Sequence, residues 1–365
     1  MTFSAQAKPR TPWSLIISIF LVSRLIIYWL GYLAYHTLPV NQVPNLATEI
    51  SNYKAGMWYG ILARWDTNWY LYIADHGYTG ILWAFFPLYP LSVKVLGKLP
   101  LDRYLSLTLF SNFLLLGILW CLYQIASAEG EEPDTLRNIL IFAGFFPLSF
   151  YFSAPYTEGL AVFLTVFSYY LAKKGAWLAA FLAAMLVGAT RVTGCLSAIV
   201  LLGEFYHQYR QGKVDAVKAV GFLLVPLGAL AFILFLQDKT GDPLAFLHAQ
   251  KAWLRIPLWE HLTLINIPGS AVEKWFTVIY LILVAWLIWL RRWAYAAYTL
   301  LLVAIPLSTG TFMSIPRLGM NAFPVFFAGA TLVTRFKFLQ LPVMLISAAF
   351  LAYFTILFTL WHWVA

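Results

Sequence analysis

Apolar runs of roughly 17–25 residues, each long enough to cross a bilayer, recur along the chain between short polar turns. The first runs from Trp13 to Leu38. The pattern then predicts helices near 104–126, 138–152, 156–172, 176–190, 193–206, 217–237, 274–290, 293–309, 318–334 and 338–361. Two longer polar intervals interrupt it, at 39–103 and 238–273. Within the first, Trp65, Trp69, Tyr72 and His76 recur at helical spacing, which predicts an interfacial helix in the headgroup plane. On such a helix Asp66 and Asp75 stand about 180° apart, so they face opposite ways.

The segment Phe85–Leu99 decides the topology. It is apolar, but Pro87 and Pro90 interrupt it and Lys94 and Lys98 weaken it. If it does not span, every short basic turn falls on the cytoplasmic side, as the positive-inside rule asks. Those turns hold Lys173 and Lys174; Arg210, Lys213 and Lys218; Arg291 and Arg292; Arg335 and Lys337, with Lys8 and Arg10 before the first run. This gives about 11 spans in one all-α polytopic membrane domain over 1–365. The cytoplasmic turns read as plain connectors. The unusual polar groups all fall outside: ARWD at 63–66, SAPYTEG at 153–159, TRVTG at 190–194, GDPLAFLHAQKAW at 241–253 and SIPR at 314–317. In the second loop Trp253, Pro257 and Trp259 suggest packing on the surface.

Composition agrees. The chain is 62% hydrophobic and 11% charged, against about 25% charged in soluble domains. The net charge of +9 lies mostly between apolar runs, which fits orientation and anionic lipid, not nucleic acid. Cys121 and Cys195 lie inside apolar segments and make no disulfide framework or zinc site. No small-residue cleavage site follows the first run, so it reads as a retained helix. No N-x-S/T sequon occurs, which leans away from the eukaryotic secretory pathway.

Each candidate residue has a functional and a plain reading. Asp66 is a general base for a sugar hydroxyl or a helix N-cap. Asp75 and His76 bind substrate or sit at the interface. Glu158, after Pro155, is a site carboxylate or an ordinary first-turn acid. Arg191 and Arg317 sit beside apolar runs, where an arginine faces a cavity or a partner; a guanidinium there suits a phosphate, or pairs with Glu158. Arg24, inside the first run, snorkels or pairs. His248, Gln250, Lys251 and Trp253 offer hydrogen bonds and an aromatic face to a sugar. No Walker loop, dinucleotide fingerprint or D-x-D pair is present, so any phosphate falls to the arginines.

Several pieces stand in order along the chain. They are Arg64-Trp65-Asp66 with IADHGY at 73–78, FFPLYPL at 85–91, SAPYTEGL at 153–160, T-R-x-x-G at 190–194, GDPLAF with Gln250 and Trp253, and S-x-P-R at 314–317 with Phe323-Pro324. The ordered set resembles the PIG-V family (GPI mannosyltransferase 2-like), which adds the second mannose in glycosylphosphatidylinositol anchor synthesis, and its prokaryotic relatives. The resemblance implies a GT-C transmembrane bundle with a catalytic carboxylate in the first external loop. The implied donor is polyprenyl-phosphate mannose, with no metal and no other cofactor. Asp66 would then be the base and Arg191 or Arg317 would meet the leaving phosphate. Arg64, Asp75, His76, Glu158, His248, Gln250 and Trp253 would hold donor or acceptor. The implied partners are a glycolipid or glycan acceptor, membrane lipids and, as in the eukaryotic relatives, a helper subunit. The implied location is the plasma membrane of a prokaryote, site outward, or the endoplasmic reticulum of a eukaryote. A flippase for lipid-linked sugars is the competing class, and a GT-C enzyme using another polyprenyl-linked sugar is the nearer variant.

Overall fold

The computed structural model describes residues 11–41, 56–256 and 269–364. Every regular element among them is helical. Lys8 and Arg10, and Pro257 and Trp259 of the second loop, lie outside the described residues. Five helical segments are long and apolar enough to cross a membrane: Trp13–Thr37, Arg103–Ala128, Ala216–Thr240, Ala271–Trp289 and Lys337–Thr359. Two shorter apolar helices, Trp177–Gly188 and Trp293–Leu307, accompany them. The protein is therefore an all-helical, membrane-embedded chain.

In order, α1 is Trp13–Thr37, α2 Asp66–His76, α3 Leu88–Leu96, α4 Arg103–Ala128, α5 Pro133–Phe145, α6 Thr157–Lys173, α7 Trp177–Gly188 and α8 Ser197–Arg210. Then come α9 Leu227–Thr240, α10 Ala245–Ala249, α11 Ala271–Trp289, α12 Trp293–Leu307, α13 Ile315–Met320, α14 Pro324–Arg335 and α15 Lys337–Thr359. Helices α4, α6 and α7 pack side by side, α5 lies on α14, and α1 lies on α15. The outer faces of α1 and α15 show Leu25, Trp29, Phe338 and Leu341 largely exposed, as lipid-facing positions are.

Prolines set most of the breaks that the hydropathy pattern reads through. The run near 138–152 is α5, then a break at Pro147 and a 3₁₀ turn at Ser149–Phe152. The run near 217–237 is a 3₁₀ stretch, Ala216–Leu224, and then α9 behind Pro226. The run near 318–334 is split by Pro324 into α13 and α14. In each case a residue without an N–H ends one ladder and opens the next. The contested segment gives only α3, with Pro87 at its N-cap. Nine residues reach about 13 Å, less than half a bilayer core. Its Tyr89 and Val93 pack on Tyr70, Leu71 and Ala74 of α2. Helix α2 is accordingly more enclosed than a helix lying free in the headgroup plane, and seven of its residues are buried.

A buried break in a helix ladder leaves backbone groups to satisfy. Arg24 of α1 does this for the stretch between α5 and α6. Its Nη1 donates to the Ser149 carbonyl and Ser153 Oγ, both at 2.9 Å. Its Nη2 donates to the Gly144 carbonyl at 2.8 Å and Ser149 Oγ at 2.9 Å, and its Nε to Ser23 Oγ at 3.2 Å. All five guanidinium donors are used. Arg24 neither snorkels nor joins an ion pair; it staples the break.

The basic turns gather at one end, and there the structure corrects the expectation of plain connectors. Glu129, after α4, accepts from Tyr295 at 2.6 Å and Tyr169 at 3.1 Å, and pairs with Lys173 at 3.1 Å. Lys173 also pairs with Glu204 at 2.7 Å, and Arg292 pairs with Glu131. Three separate turns and helix α8 share this network, so no local spacing reveals it.

Arg24→Met keeps the length of the side chain and removes all five donors. The variant should lose roughly 3 kcal/mol or more, read as a melting temperature several degrees lower in detergent. An unchanged melting temperature would show that the break does not need its staple.

Candidate active site

The chain approaches the site through Arg64, which is wholly buried. Its Nε donates to the Thr359 carbonyl at 2.9 Å, and its Nη1 to the carbonyls of Gly60 at 2.9 Å and Ala63 at 3.2 Å. Its guanidinium lies over the rings of Trp361, 5.2 Å from the centroid, and Tyr35, at 5.4 Å. Arg64 therefore ties this segment to the end of α15; it is not among the residues that line the cleft. Trp65 follows with φ 47° and ψ −111°, a conformation that costs a non-glycine residue on the order of 1–3 kcal/mol. Its ring packs edge-on against Trp361 and Trp363, each at 5.5 Å. This turn swings the next side chain inward.

That side chain is Asp66, the first residue of α2. Its backbone N–H donates to Tyr156 Oη at 3.1 Å, and Tyr156 Oη donates in turn to the Arg64 carbonyl at 2.9 Å. The carboxylate does not cap the helix: Trp65 holds the N-cap position, and no side chain caps there. Instead Asp66 Oδ2 accepts from Arg317 Nη1 at 2.7 Å. Arg317 Nε lies 3.5 Å from Glu158 Oε1, and Arg191 Nη2 donates to that same oxygen at 2.8 Å and to Thr157 Oγ1 at 2.7 Å. The result is a chain of alternating charges, Asp66, Arg317, Glu158, Arg191, drawn from α2, α13, the start of α6 and the turn after α7. The Arg317 guanidinium also lies over Tyr156 and Tyr151, at 5.6 and 5.7 Å. Burial opposes its charge, but Asp66 and then Glu158 outweigh that and hold its pKa well above the ordinary value.

Two local devices aim the arginines. Before Arg317, Ser314 takes a left-handed conformation, φ 61°, and its N–H donates to Glu273 Oε1 at 3.2 Å. Glu273 is itself fixed in a capping box with Ser270 at the start of α11. After Arg191, Gly194 lies so close to α7 that a Cβ would stand 2.3 Å from the Val187 carbonyl oxygen. Only glycine fits there, which accounts for the fifth position of TRVTG.

These groups line an open cleft of about 230 Å³. Asp66, Thr157, Arg191 and Arg317 form its polar wall with Gln250 and Arg255. Phe85, Leu247, Trp253, Leu302, Ile305, Pro306, Leu318 and Trp363 form its apolar walls. Glu158 stands behind the two arginines it pairs with. The remaining candidates lie elsewhere. Asp75 is exposed and pairs with Arg103 at 2.7 Å, on the side of α2 away from Asp66. His76 is exposed and stacks on Tyr72 at 4.7 Å. His248 is exposed and pairs with Asp242 at 2.6 Å. Tyr156 and Thr157 come with the SAPYTEGL motif, whereas Tyr70 and Arg255 are ordinary residues of a helix and a loop until the fold brings them into the site. Among the described residues no group of three or more His, Cys, Asp or Glu is placed to hold a metal.

Compared with protein-family models and with curated proteins, the chain matches none.

Glu158→Gln would leave Arg191 and Arg317 facing each other without their shared carboxylate. It should destabilise the protein by about 3 kcal/mol, and adding Arg191→Gln should return part of that loss. A double-mutant cycle by thermal unfolding should give a coupling of about 1–3 kcal/mol; strict additivity would mean the ion chain is not a unit.

Proposed function

We propose that this protein is an inverting glycosyltransferase of GT-C type that moves mannose from a polyprenyl-phosphate donor to a glycolipid or glycan hydroxyl. One observation carries the reading: a carboxylate and a guanidinium, Asp66 and Arg317, meet at 2.7 Å inside a half-open cleft walled by the apolar side chains of α12. A base, a cation and a greasy wall in one place suit a sugar phosphate whose other end is a lipid. The motifs that resemble the PIG-V family supply the sugar and the carrier. In this reading the chain crosses the bilayer about eleven times, with the cleft on the external side.

In the transfer, Asp66 takes the proton of the acceptor hydroxyl. The freed oxygen pair forms the new bond to the anomeric carbon. The bond from that carbon to the phosphate oxygen breaks on the opposite face, and its electrons leave with the polyprenyl phosphate. Inversion turns a β-linked donor into an α-mannoside. Arg317 and Arg191 meet the charge that develops on the phosphate. Since Arg317 also holds Asp66, a phosphate arriving there competes for the guanidinium and leaves the carboxylate freer to accept a proton. Gln250 and Trp253 offer a hydrogen-bonding amide and an aromatic face to the sugar ring.

A second reading, a flippase for lipid-linked sugars, draws on the charge network of Glu129, Lys173, Glu204 and Arg292 at the far end. A transporter keeps polar groups on both faces. That network, however, closes on itself with every member in an ion pair, whereas the cleft is open.

The test is transfer of label from radiolabelled polyprenyl-phosphate mannose into a lipid extract of the source cells, with the protein in nanodiscs. Asp66→Asn should lower transfer on the order of 10²–10⁴-fold while donor binding persists. Asp75→Asn should stay near wild type, because an exposed pair contributes about 0–1 kcal/mol. Near-normal turnover by Asp66→Asn would remove it from the role of base. Label crossing proteoliposome membranes without transfer would favour the flippase.

A further inference from the structure

Three arginines line the cleft, and two of them are already answered. Arg317 faces Asp66 and Glu158, and Arg191 faces Glu158. Arg255 is held differently. Its Nη1 donates to Thr309 Oγ1 at 3.2 Å and its Nη2 to the Met313 carbonyl at 2.6 Å. Both acceptors are neutral, and among the described residues no carboxylate lies within ion-pair distance of this guanidinium. Two bonds fix its plane and leave the rest of its five donors for another partner.

The electrostatics agree. Burial, and then the neighbouring Arg317, push the pKa of Arg255 down to about 10, with Glu273 partly offsetting them. Among the described residues a like charge lies close by and no carboxylate is in ion-pair contact, a costly arrangement for a buried cation. Among the described residues three guanidinium groups line the cleft against one carboxylate, Asp66, while Glu158 and Glu273 lie near them without lining it. An anion that bridges Arg255 and Arg317 removes the repulsion between them. Next to them, Leu302, Ile305 and Pro306 of α12 give a chain attached to that anion an apolar surface.

We propose that Arg255 is the anion-binding residue of the cleft and seats a lipid-borne phosphate, with Arg317 as the second contact. Arg191, held by Glu158 and Thr157, adds its charge beside them. The proposal rests on the cleft being the donor site of the transferase.

The test measures binding by quenching of tryptophan fluorescence in detergent, since Trp253 and Trp363 line the cleft. The probes are decaprenyl phosphate, decaprenol, phosphatidic acid and inorganic pyrophosphate. Arg255→Gln should weaken decaprenyl phosphate roughly ten- to hundredfold and leave decaprenol within about twofold. Arg255→Lys should recover part of the loss. Thr309→Val, which keeps the guanidinium and drops one of its two bonds, should stay within a few-fold of wild type. Equal binding of decaprenyl phosphate by wild type and Arg255→Gln would overturn the assignment and leave the donor reading standing. Loss of phosphate and alcohol alike in Arg255→Gln and Thr309→Val would also overturn it, showing that the residue only holds the loop. If the wild type ignores decaprenyl phosphate but binds phosphatidic acid or pyrophosphate through Arg255, the anion seat stands and the donor reading falls. Binding of none of the probes by the wild type would sink both.

Discussion

Arg317 carries its charge into a place largely closed to water, and the structure has to answer that charge. A buried cation without partners would cost several kcal/mol. Asp66 and Glu158 supply the answer from positions 251 and 159 residues away in sequence. Each carboxylate is buried in turn and needs its own partners. Asp66 has Arg317 itself, with its backbone N–H held by the Tyr156 hydroxyl, and Glu158 has Arg191 as well. The burial of that first charge thus draws α2, α6, α13 and the turn after α7 to one place. The cleft is what remains open where they meet.

Two kinds of arginine divide the work. Arg24 spends its donors on backbone carbonyls and serine hydroxyls, and Arg64 gives its Nε and Nη1 to carbonyls; both hold irregular backbone where a helix ladder stops. Arg191, Arg255 and Arg317 turn toward the cleft. The residue type is the same, but a staple is saturated by its own protein, whereas a binding group keeps something back. Glu273 belongs with the staples: it fixes Ser314 in its left-handed turn and so sets where Arg317 begins.

The sequence made the long uniform runs legible, because Trp13–Thr37, Arg103–Ala128 and Lys337–Thr359 need only count apolar residues. It also made legible the opposite facing of Asp66 and Asp75, since helical period fixes that from spacing alone. Runs containing Pro147, Pro226 or Pro324 were less legible, because averaging over a window hides one missing N–H. Choosing among polar candidates was harder still. Arg64 stands beside Asp66 in one motif yet faces away from the cleft, because a peptide turn at Trp65 separates them. Arg255 looks like any basic loop residue until Thr309 and Met313 fix its plane. Pairings such as Glu129 with Tyr295 and Arg292 span more than 160 residues, and no local pattern encodes them.

The bond from Arg64 to the carbonyl of Thr359 joins an early loop to the last long helix. A ribosome delivers those two residues in order, with nearly three hundred others between them. Throughout that interval the Arg64 guanidinium lacks that acceptor, and the indole of Trp361 is still unmade. The strained turn at Trp65 likewise lacks the Trp361 and Trp363 rings that brace it. The carboxylate of Asp66 thus gains its final direction only when synthesis is almost complete. A nascent chain stalled before α15 would carry every charged group of the cleft and still have no fixed geometry for any chemistry there.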